Sequence, residues 1–193
     1  MSAARLKSKR SLFLLLCALA LLALPAGAGS AGGNGLISAR GVGPLKIGVS
    51  AQAQVRAWAG SPAKIWHNIN QNPPVLFSGL LWEYDCAGTN PVDGSPCMTL
   101  FGFKNGRLRS FETNYGIFRT AKGTTIGTTL AKAVTRQHGK WSGWGWQCPG
   151  VNFPSAGNVV FVAHIAKKHN TGPALVSSFY LSKAPDSFSS CGS

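Results

Sequence analysis

Beyond residue 44, apolar and polar positions follow two different spacings, and each spacing predicts a different element. Apolar residues three or four positions apart are typical of an amphipathic helix, and one such set is Ala51, Val55, Trp58 and Ala59. Ser50 can cap this helix, and Gly60 can end it in a left-handed conformation. A second helix is predicted between the capping residue Thr129 and the closing residue Gly139.

Short runs of β-favouring residues follow each predicted helix. They cover residues 75–84, 98–103 and 107–113 after the first helix, and 158–165, 174–181 and a tail at 187–191 after the second. Asn105 and Gly106 separate two of the runs, and this dipeptide favours a two-residue hairpin turn. Helices of about ten residues do not persist alone, so we expect them to pack on these strands.

One constant offset of 79 residues relates the two parts of this pattern without gaps. The offset aligns Ile47-Gly48 with Ile126-Gly127, Ser50 with Thr129, Val55 with Val134, Gly60 with Gly139, 80–82 with 159–161, and 99–101 with 178–180. A tandem duplication accounts for this set better than chance does. We therefore predict an α+β fold of two tandem repeats, 45–114 and 115–193, each a short helix followed by an antiparallel β-meander.

The first 28 residues have the pattern of a secretory signal peptide. Four basic residues open the pattern: Arg5, Lys7, Lys9 and Arg10. An apolar run from Leu12 to Leu24 follows, and small residues lead to Ala28, where we expect cleavage and export. The run is shorter than the ~20 residues that span a bilayer, and an uncleaved anchor is the alternative. Residues 29–44 are then predicted to be a flexible linker and lead-in.

The chain after the signal is strongly basic. Four of the 19 Lys and Arg residues lie in the signal and all five acids lie after it, which leaves a net charge of +10. Such a charge favours anionic partners such as wall polymers, lipid headgroups, nucleic acid or acidic proteins. The basic residues are scattered rather than gathered in one stripe, and with export this argues against nucleic acid. A surface that is basic only for solubility is the competing interpretation.

An even number of cysteines in a small exported domain predicts disulfides, and four remain after the signal: Cys86, Cys97, Cys148 and Cys191. Three pairings are possible. We predict Cys86–Cys97 and Cys148–Cys191, because Cys86 and Cys97 flank a turn-rich stretch of Gly, Pro and Asn. No Cys-x-x-Cys is present and the histidines lack ligand spacing, so we expect neither a metal nor another cofactor.

Three tryptophans lie within six residues and are spaced by Ser and Gly: Trp141, Trp144 and Trp146. Tryptophan is enriched at binding hot spots, so these residues are candidates for contact with a protein or a sugar ring. The competing interpretation is that they fill a small core. Tyr115 and Phe118, between the predicted repeats, are candidates for a shared groove, with a place in the core as the alternative. The remaining tryptophans are assigned to the core: Trp58, Trp66 and Trp82.

Catalytic patterns in the chain are weak. Glu83 and Asp85 would share one face of a strand, and two carboxylates about 6 Å apart could serve a glycosidase. Their position beside Cys86 favours a solvated or Arg-paired face instead. Ser61 and Lys64 match the S-x-x-K motif of penicillin-recognising enzymes, but the serine follows a predicted helix end and no Ser-Asp-Asn accompanies it. We therefore predict that the protein is not an enzyme.

One set of residues resembles the signature I-G-M-S/T … Q-V … L-G-x-P: 45–50, 54–56 and 59–62, with a weaker copy at 126–139. Two related groups have this signature, the exported β-lactamase inhibitor protein and the envelope lipoproteins of the BamE (SmpA/OmlA) type. The resemblance implies tandem helix-and-sheet repeats whose sheets form a concave, aromatic-rich surface that grips another protein. Val49 replaces the usual Met, the BamE lipobox is missing and the charge is positive, so β-lactamase is not named as the target.

Together these observations predict an exported, non-enzymatic, inhibitor-like protein-binding module of the bacterial envelope or extracellular space. The expected partner is another exported or envelope protein, and neither nucleic acid nor a small-molecule substrate is expected. Two alternatives stay open. One is an envelope-structural protein that holds anionic wall polymer or lipid headgroups, and the other is a polysaccharide hydrolase built on Glu83 and Asp85.

Overall fold

The computed structural model describes residues 35–67, 79–141, 149–168 and 171–183. Strands make up 51% and helices 13% of these residues, so the fold is mainly β. The predicted α+β arrangement of two helix-and-meander repeats is therefore wrong. Seven of the strands in the described ranges have only two to four residues. Such short strands carry too few positions to show alternation, which is why the sequence pattern underestimates the β content.

The strands of the described ranges form two sheets. The elements in chain order are β1 Leu36–Ser38, β2 Gly41–Val42, β3 Leu45–Lys46, α1 Gln52–Ala59, β4 Lys64–His67, β5 Leu80–Thr89, β6 Pro96–Lys104, β7 Arg107–Thr113, β8 Arg119–Thr120, α2 Leu130–Gln137, β9 Lys140–Trp141, β10 Gly150–Asn152, β11 Val159–Lys167 and β12 Ala174–Lys183. The large sheet has eight strands in the order β4-β5-β6-β7-β12-β11-β10-β9, all antiparallel. The small sheet has the order β3-β2-β1-β8, and its β1 and β8 are parallel.

The longer strands lie close to the predicted runs. Strand β7 spans the predicted residues 107–113, and β6 and β12 extend the predicted runs by one to two residues. Strand β11 begins one residue later and ends two residues later than predicted, and β5 continues five residues past the predicted end at 84. Asn105 and Gly106 form the turn between β6 and β7 with φ of 52° and 70°, which confirms the predicted hairpin. Residues 75–78 of the first run and the tail at 187–191 lie outside the described residues.

Helix α1 begins one position later than predicted. The Ser50 hydroxyl accepts a hydrogen bond from the Lys46 N–H at 2.9 Å. The hydroxyl is therefore directed towards Lys46 and does not cap the helix. Ala51 is the N-cap residue, and its N–H donates to the Gln54 side chain at 2.8 Å. The predicted cap at Ser50 is therefore wrong. The predicted end at Gly60 is confirmed, but with φ of 83° and ψ of −160° this glycine lies outside the left-handed helical conformation that was predicted for it.

Helix α2 begins where the sequence predicts. Thr129 is its N-cap residue, and the threonine side chain accepts from the Lys132 N–H at 3.5 Å. The left-handed residue at the other end is His138, with φ of 52°, rather than Gly139. A Cβ at Gly139 would collide with the Val151 side chain, so the glycine allows close packing of the chain on β10.

The turns that precede the two helices are hydrogen-bonded to the centre of the large sheet. The Gly48 N–H donates to the Leu108 carbonyl of β7 at 2.6 Å, and the Gly127 N–H donates to the Val176 carbonyl of β12 at 2.8 Å. Leu108 and Val176 donate back to carbonyls of the same turns at 2.8 Å each. Because β7 and β12 are neighbours in the sheet, these bonds place the starts of both helices over its middle.

The buried core lies between the large sheet, the helices and the small sheet. Its largest fully buried side chains are phenylalanines: Phe101, Phe103, Phe111, Phe118 and Phe179. Helix α1 adds Val55 and Ala59, and α2 adds Ala133. The described part of the predicted lead-in forms β1 and β2, whose Ile37 and Val42 join the core, whereas residues 29–34 lie outside the described ranges.

A disulfide joins β5 and β6 at their ends. Cys86 and Cys97 are bonded with a Cα separation of 5.4 Å, which confirms the first predicted pair. In the chain-entropy account a loop of this size contributes roughly 3 kcal/mol to stability. The bond indicates an oxidising compartment, extracellular or periplasmic. Cys148, Cys191 and the predicted signal lie outside the described residues, within which no helix is long and apolar enough to cross a membrane.

Candidate functional site

A pocket of about 400 Å³ lies where the end of α1, the disulfide-bonded strands and the connection after β7 meet. We call it the aromatic pocket, because five aromatic residues line it: Trp58, Tyr84, Phe101, Tyr115 and Phe118. They come from four segments, namely α1, β5, β6 and residues 114–118. The volume falls in the range typical of pockets that hold ligands or side chains.

The connection that carries Tyr115 and Phe118 is held by short local hydrogen bonds. The Tyr115 N–H donates to the Thr113 hydroxyl at 3.1 Å, and the Phe118 N–H donates to the Tyr115 carbonyl at 3.2 Å. The Asn114 side chain accepts from the Met98 N–H at 2.7 Å, which ties the connection to β6. The two residues predicted to share a groove are thereby fixed in one pocket.

Phe101 is the centre of an aromatic network beneath the pocket. Its ring centroid lies 6.3 Å from Trp58, 5.5 Å from Tyr84 and 5.3 Å from Phe111. The contacts with Trp58 and Tyr84 are edge to face, a geometry that aromatic pairs favour. Each ring therefore restricts its neighbours, and the wall of the pocket is rigid where it meets the core.

Exposure separates the floor of the pocket from its rim. Phe101 and Phe118 are 1% and 2% exposed and belong to the core, whereas Ile117 at the rim is 44% exposed. Tyr115 is half-buried, with its ring 6.2 Å from that of Phe118. An apolar group that enters the pocket would therefore meet fixed rings and an exposed aliphatic side chain beside them.

Polar groups in the pocket are few. The Tyr84 hydroxyl donates to the Gly60 carbonyl at 3.0 Å and joins β5 to the end of α1. Burial raises the pKa of Tyr84 to about 12, although the charge of Arg56 acts in the opposite direction. The phenol therefore stays protonated and keeps this bond at neutral pH. Asp85 is the charged residue among those that line the pocket, and it is exposed.

The predicted carboxylate pair is divided between two environments. Glu83 accepts from Lys64 Nζ at 3.1 Å through one oxygen and from Trp66 Nε1 at 2.9 Å through the other. The hydrogen bond to Glu83, followed by the charge of Glu83, raises the pKa of Lys64. Lys64 of the S-x-x-K match is thus paired with a carboxylate, while Ser61 lines the aromatic pocket.

Within the described ranges no three His, Cys, Asp or Glu side chains lie close enough to hold a metal ion.

Trp141 lies apart from the aromatic pocket. It is half-buried on β9, packs against the core and borders a separate open groove with Leu130 and Val134 of α2. Trp144 and Trp146 lie outside the described residues. Of the predicted binding residues, the structure therefore brings Tyr115 and Phe118 together and places Trp141 elsewhere.

Trp58 and Tyr84 are pocket residues that the sequence analysis missed. Helical periodicity assigned Trp58 to the core, but the side chain is half-buried at the end of α1. Trp66, which the sequence also predicts to be in the core, is 44% exposed, so that prediction is wrong, whereas Trp82 is buried as predicted. One feature of the sequence could have indicated that Tyr84 belongs to the site. It lies two residues before Cys86, and the disulfide of Cys86 fixes that end of β5.

Comparison with known proteins yields two solved structures of similar shape. No family model and no curated protein matches the sequence. The chain is similar to an extracellular protein containing a SCP domain from Bacillus anthracis strain Ames, with 9% identity, a TM-score of 0.47 and coverage of 70% of this chain and 43% of that one. It is also similar to the uncharacterized protein YfeY from Escherichia coli, with 13% identity, a TM-score of 0.43 and coverage of 77% and 99%. The chain thus spans less than half of the Bacillus protein.

Proposed function

We propose that the protein is an exported, non-enzymatic binding protein that holds another exported protein through the aromatic pocket. The pocket itself carries the proposal, because its rings of Trp58, Tyr84 and Tyr115 are half-exposed above the buried rings of Phe101 and Phe118. Rings that are already fixed lose little conformational freedom on binding, so an apolar side chain gains contact area at low entropic cost. Pockets of this kind are typical of the centres of protein interfaces.

The charges around the pocket narrow the class of partner. The chain after the signal is basic, with a formal net charge of +10, which favours a partner whose surface is acidic. At the pocket the local charge is the Asp85 carboxylate. The best-fitting segment therefore presents one large apolar side chain next to a Lys or Arg, on a protein that is otherwise acidic.

The resemblance to the β-lactamase inhibitor and BamE-type signatures is consistent with a protein partner. It rests on residues 45–50, 54–56 and 59–62, with a weaker copy at 126–139, and of these Ala59 and Ser61 line the pocket. The fold that the resemblance implied is not the fold observed, so the proposal rests on the pocket rather than on the family. No target is inferred from it.

Export through a cleaved signal is part of the same proposal. The Cys86–Cys97 disulfide supports an oxidising destination, and the basic and apolar pattern of residues 1–28 supports the route. The intact mass of the protein recovered from the envelope or medium tests it. A mass that corresponds to a start at Gly29 is expected, and a mass that retains the apolar run would show an anchor instead.

Affinity capture tests the binding function. The purified protein serves as bait for the envelope and secreted fractions of its host, with washes at low and high salt. We expect one discrete protein that stays bound at high salt and is lost with Ile117→Asp or Tyr115→Ala. Leu36→Asp is the matched control, because Leu36 is 39% exposed, close to the 44% of Ile117, and does not line the pocket.

Two outcomes would contradict the proposal. Equal loss with Leu36→Asp and Ile117→Asp would mean that the pocket is not the binding site. Recovery of only anionic polymer or lipid, released by salt, would favour the envelope-structural alternative, because exposed charges are screened beyond about 8 Å at physiological ionic strength. The circular dichroism spectrum of each variant shows whether it is folded.

A further inference from the structure

A second concave site lies where the lead-in strands meet the end of β12 and the loop between β10 and β11. This cleft has a volume of about 340 Å³. We call it the basic cleft, after the three cationic residues that line it: Arg40, Lys46 and Lys183. No carboxylate is among its described lining residues.

The fold brings these cations together from distant parts of the chain. The Arg40 carbonyl accepts from the Ile47 N–H at 2.9 Å, which places Lys46 near Arg40 across the β2–β3 hairpin. Lys183 lies over Gly48, with its Nζ 3.1 Å from the position that a Cβ there would occupy. Gly48 has φ of 80°, so a side chain at this position would be strained as well as crowded.

The cations of the cleft have no described counter-charge. None of the three forms an ion pair with a described carboxylate. The acids of the described ranges lie in other parts of the fold: Glu83, Asp85, Asp93 and Glu112. Three like charges around one cleft repel one another, and an anion between them would relieve that repulsion. A guanidinium fork beside two ammonium groups suits phosphate in particular, since arginine can donate two parallel hydrogen bonds to it.

An exposed apolar residue at the basic cleft favours a membrane surface over a free anion as its ligand. Val49 lines the cleft and is 60% exposed, and its carbonyl accepts from Arg107 Nη1 at 2.9 Å. The valine side chain is therefore held in solvent by a loop that a further cation fixes. Cations around a protruding apolar side chain are typical of surfaces that bind the headgroup region of a bilayer. A free phosphate offers no apolar surface, so its binding would not involve the exposed side chain of Val49.

We infer that the basic cleft binds the phosphate of an anionic phospholipid headgroup and that Val49 enters the membrane surface beside it. The site does not share a lining residue with the aromatic pocket, so it is independent of the proposed protein-binding function. Both sites together would let the protein lie on a membrane while it holds a partner.

Vesicle co-sedimentation of the purified protein tests the inference. Vesicles of phosphatidylcholine, with and without phosphatidylglycerol, are compared for the native chain and for Arg40→Ala/Lys46→Ala/Lys183→Ala. We expect the loss of three surface cations at the contact to weaken binding about 100-fold. The control Lys122→Ala/Lys132→Ala/Lys140→Ala removes the same charge from exposed positions outside the cleft, and we expect it to weaken binding less than about threefold.

Three further measurements make the result specific. Arg40→Lys/Lys46→Arg/Lys183→Arg keeps the charge and should keep most of the vesicle binding, which separates loss of charge from loss of fold. Val49→Ser should weaken vesicle binding but leave any binding of inorganic phosphate, measured by calorimetry, unchanged. Ile117→Asp should leave vesicle binding unchanged, so failure of this inference and failure of the proposed function are separable.

The same set of measurements can overturn the inference. Equal losses with the cleft and control variants would show that binding follows overall charge rather than the cleft. Binding of inorganic phosphate without any binding to phosphatidylglycerol vesicles would overturn the headgroup as the ligand. Vesicle binding that is unchanged in all variants would remove the cleft from membrane contact.

Discussion

The two halves of the large sheet, β4–β7 and β9–β12, have equal numbers of strands but are stabilised by different means. The first half contains the disulfide, the ring network around Phe101 and the bonds that Glu83 makes to Lys64 and Trp66. The second half has a smaller aromatic cluster around Phe161 and a half-buried histidine, His164, whose two ring nitrogens are buried without a hydrogen-bond partner among the described residues.

This difference explains where a binding pocket can form. A pocket that holds a side chain needs walls that do not collapse when it is empty, and fixed rings with a covalent bond provide them. In the first half the disulfide and the ring network meet at the pocket itself. The second half carries His164, whose ring nitrogens are buried. The two halves should therefore respond differently to the same kinds of change.

Removal of one large ring from each half should give the largest effect. Phe101→Ala removes contacts with three neighbouring rings, and Phe161→Ala removes contacts with two. Both residues are buried, so each change should destabilise the protein, by about 5 kcal/mol for Phe101 and about 3 kcal/mol for Phe161. Guanidinium unfolding of both variants measures this difference. A larger loss for Phe161→Ala would mean that the ring network does not concentrate stability in the first half.

Low pH should act on the second half through His164. Burial lowers the pKa of His164 to about 4, so between about pH 6.5 and pH 4 the unfolded chain binds a proton that the folded protein does not. Stability is therefore complete above pH 6.5 and is lost as the pH falls, by about 3 kcal/mol in total. Unfolding midpoints from pH 7 to pH 4 measure this loss for the native chain and for His164→Gln. Parallel curves for the two proteins would exclude His164 as the cause.

Loss of the disulfide should weaken the first half. Cys86→Ser/Cys97→Ser should reduce the free energy of unfolding by roughly 3 kcal/mol, because the unfolded chain regains the freedom of the closed loop. Amide hydrogen exchange should show faster local opening of the ends of β5 and β6, with β11 and β12 changed only through global stability. If local opening made hydrogen exchange equally faster in β5, β6, β11 and β12, the result would contradict this difference between the two halves.

Elements with a strong local signal could be predicted from the sequence. The Asn105-Gly106 turn and the Thr129 cap each depend on a few neighbouring residues, and both were placed correctly. Pairing between distant strands has no such signal. The register that sets Glu112 of β7 opposite Tyr180 of β12 joins the two halves into one sheet, and nothing local to either residue indicates it. The fold class was therefore wrong although most long strands were found.

The residues of the two sites also differ in whether the sequence could predict them. Tyr115 and Phe118 were candidates for a shared groove because they lie in the connection between the predicted repeats, and both line the aromatic pocket. Trp58 and Tyr84 reach the same pocket from α1 and β5, so their contribution depends on tertiary structure. The basic cleft is an extreme case, because Arg40 and Lys183 lie near opposite ends of the described chain. Charges that are scattered in the sequence can be adjacent in the fold.

The smallest effect should come from a single hydroxyl in the first half. Tyr84→Phe removes the hydrogen bond to the Gly60 carbonyl and should cost about 1 kcal/mol. Tyr115→Phe is the matched control in the same pocket, because no hydrogen bond of its hydroxyl is present among the described residues, and it should change stability by less than about 0.5 kcal/mol. Urea unfolding resolves both changes, and equal losses would show that the bond does not hold β5 to α1.

High pH offers a second test of the same hydroxyl. Because the pKa of Tyr84 is raised to about 12 in the folded protein, the unfolded chain loses its phenolic proton first as the pH rises from about 10. The folded protein keeps its proton in that interval, so stability should decline between pH 10 and pH 12, the opposite direction from the decline through His164. Tyr84→Phe should reduce this decline and leave the acid one intact, whereas His164→Gln should do the reverse. If either variant altered both limbs, the two halves of the sheet would not titrate independently.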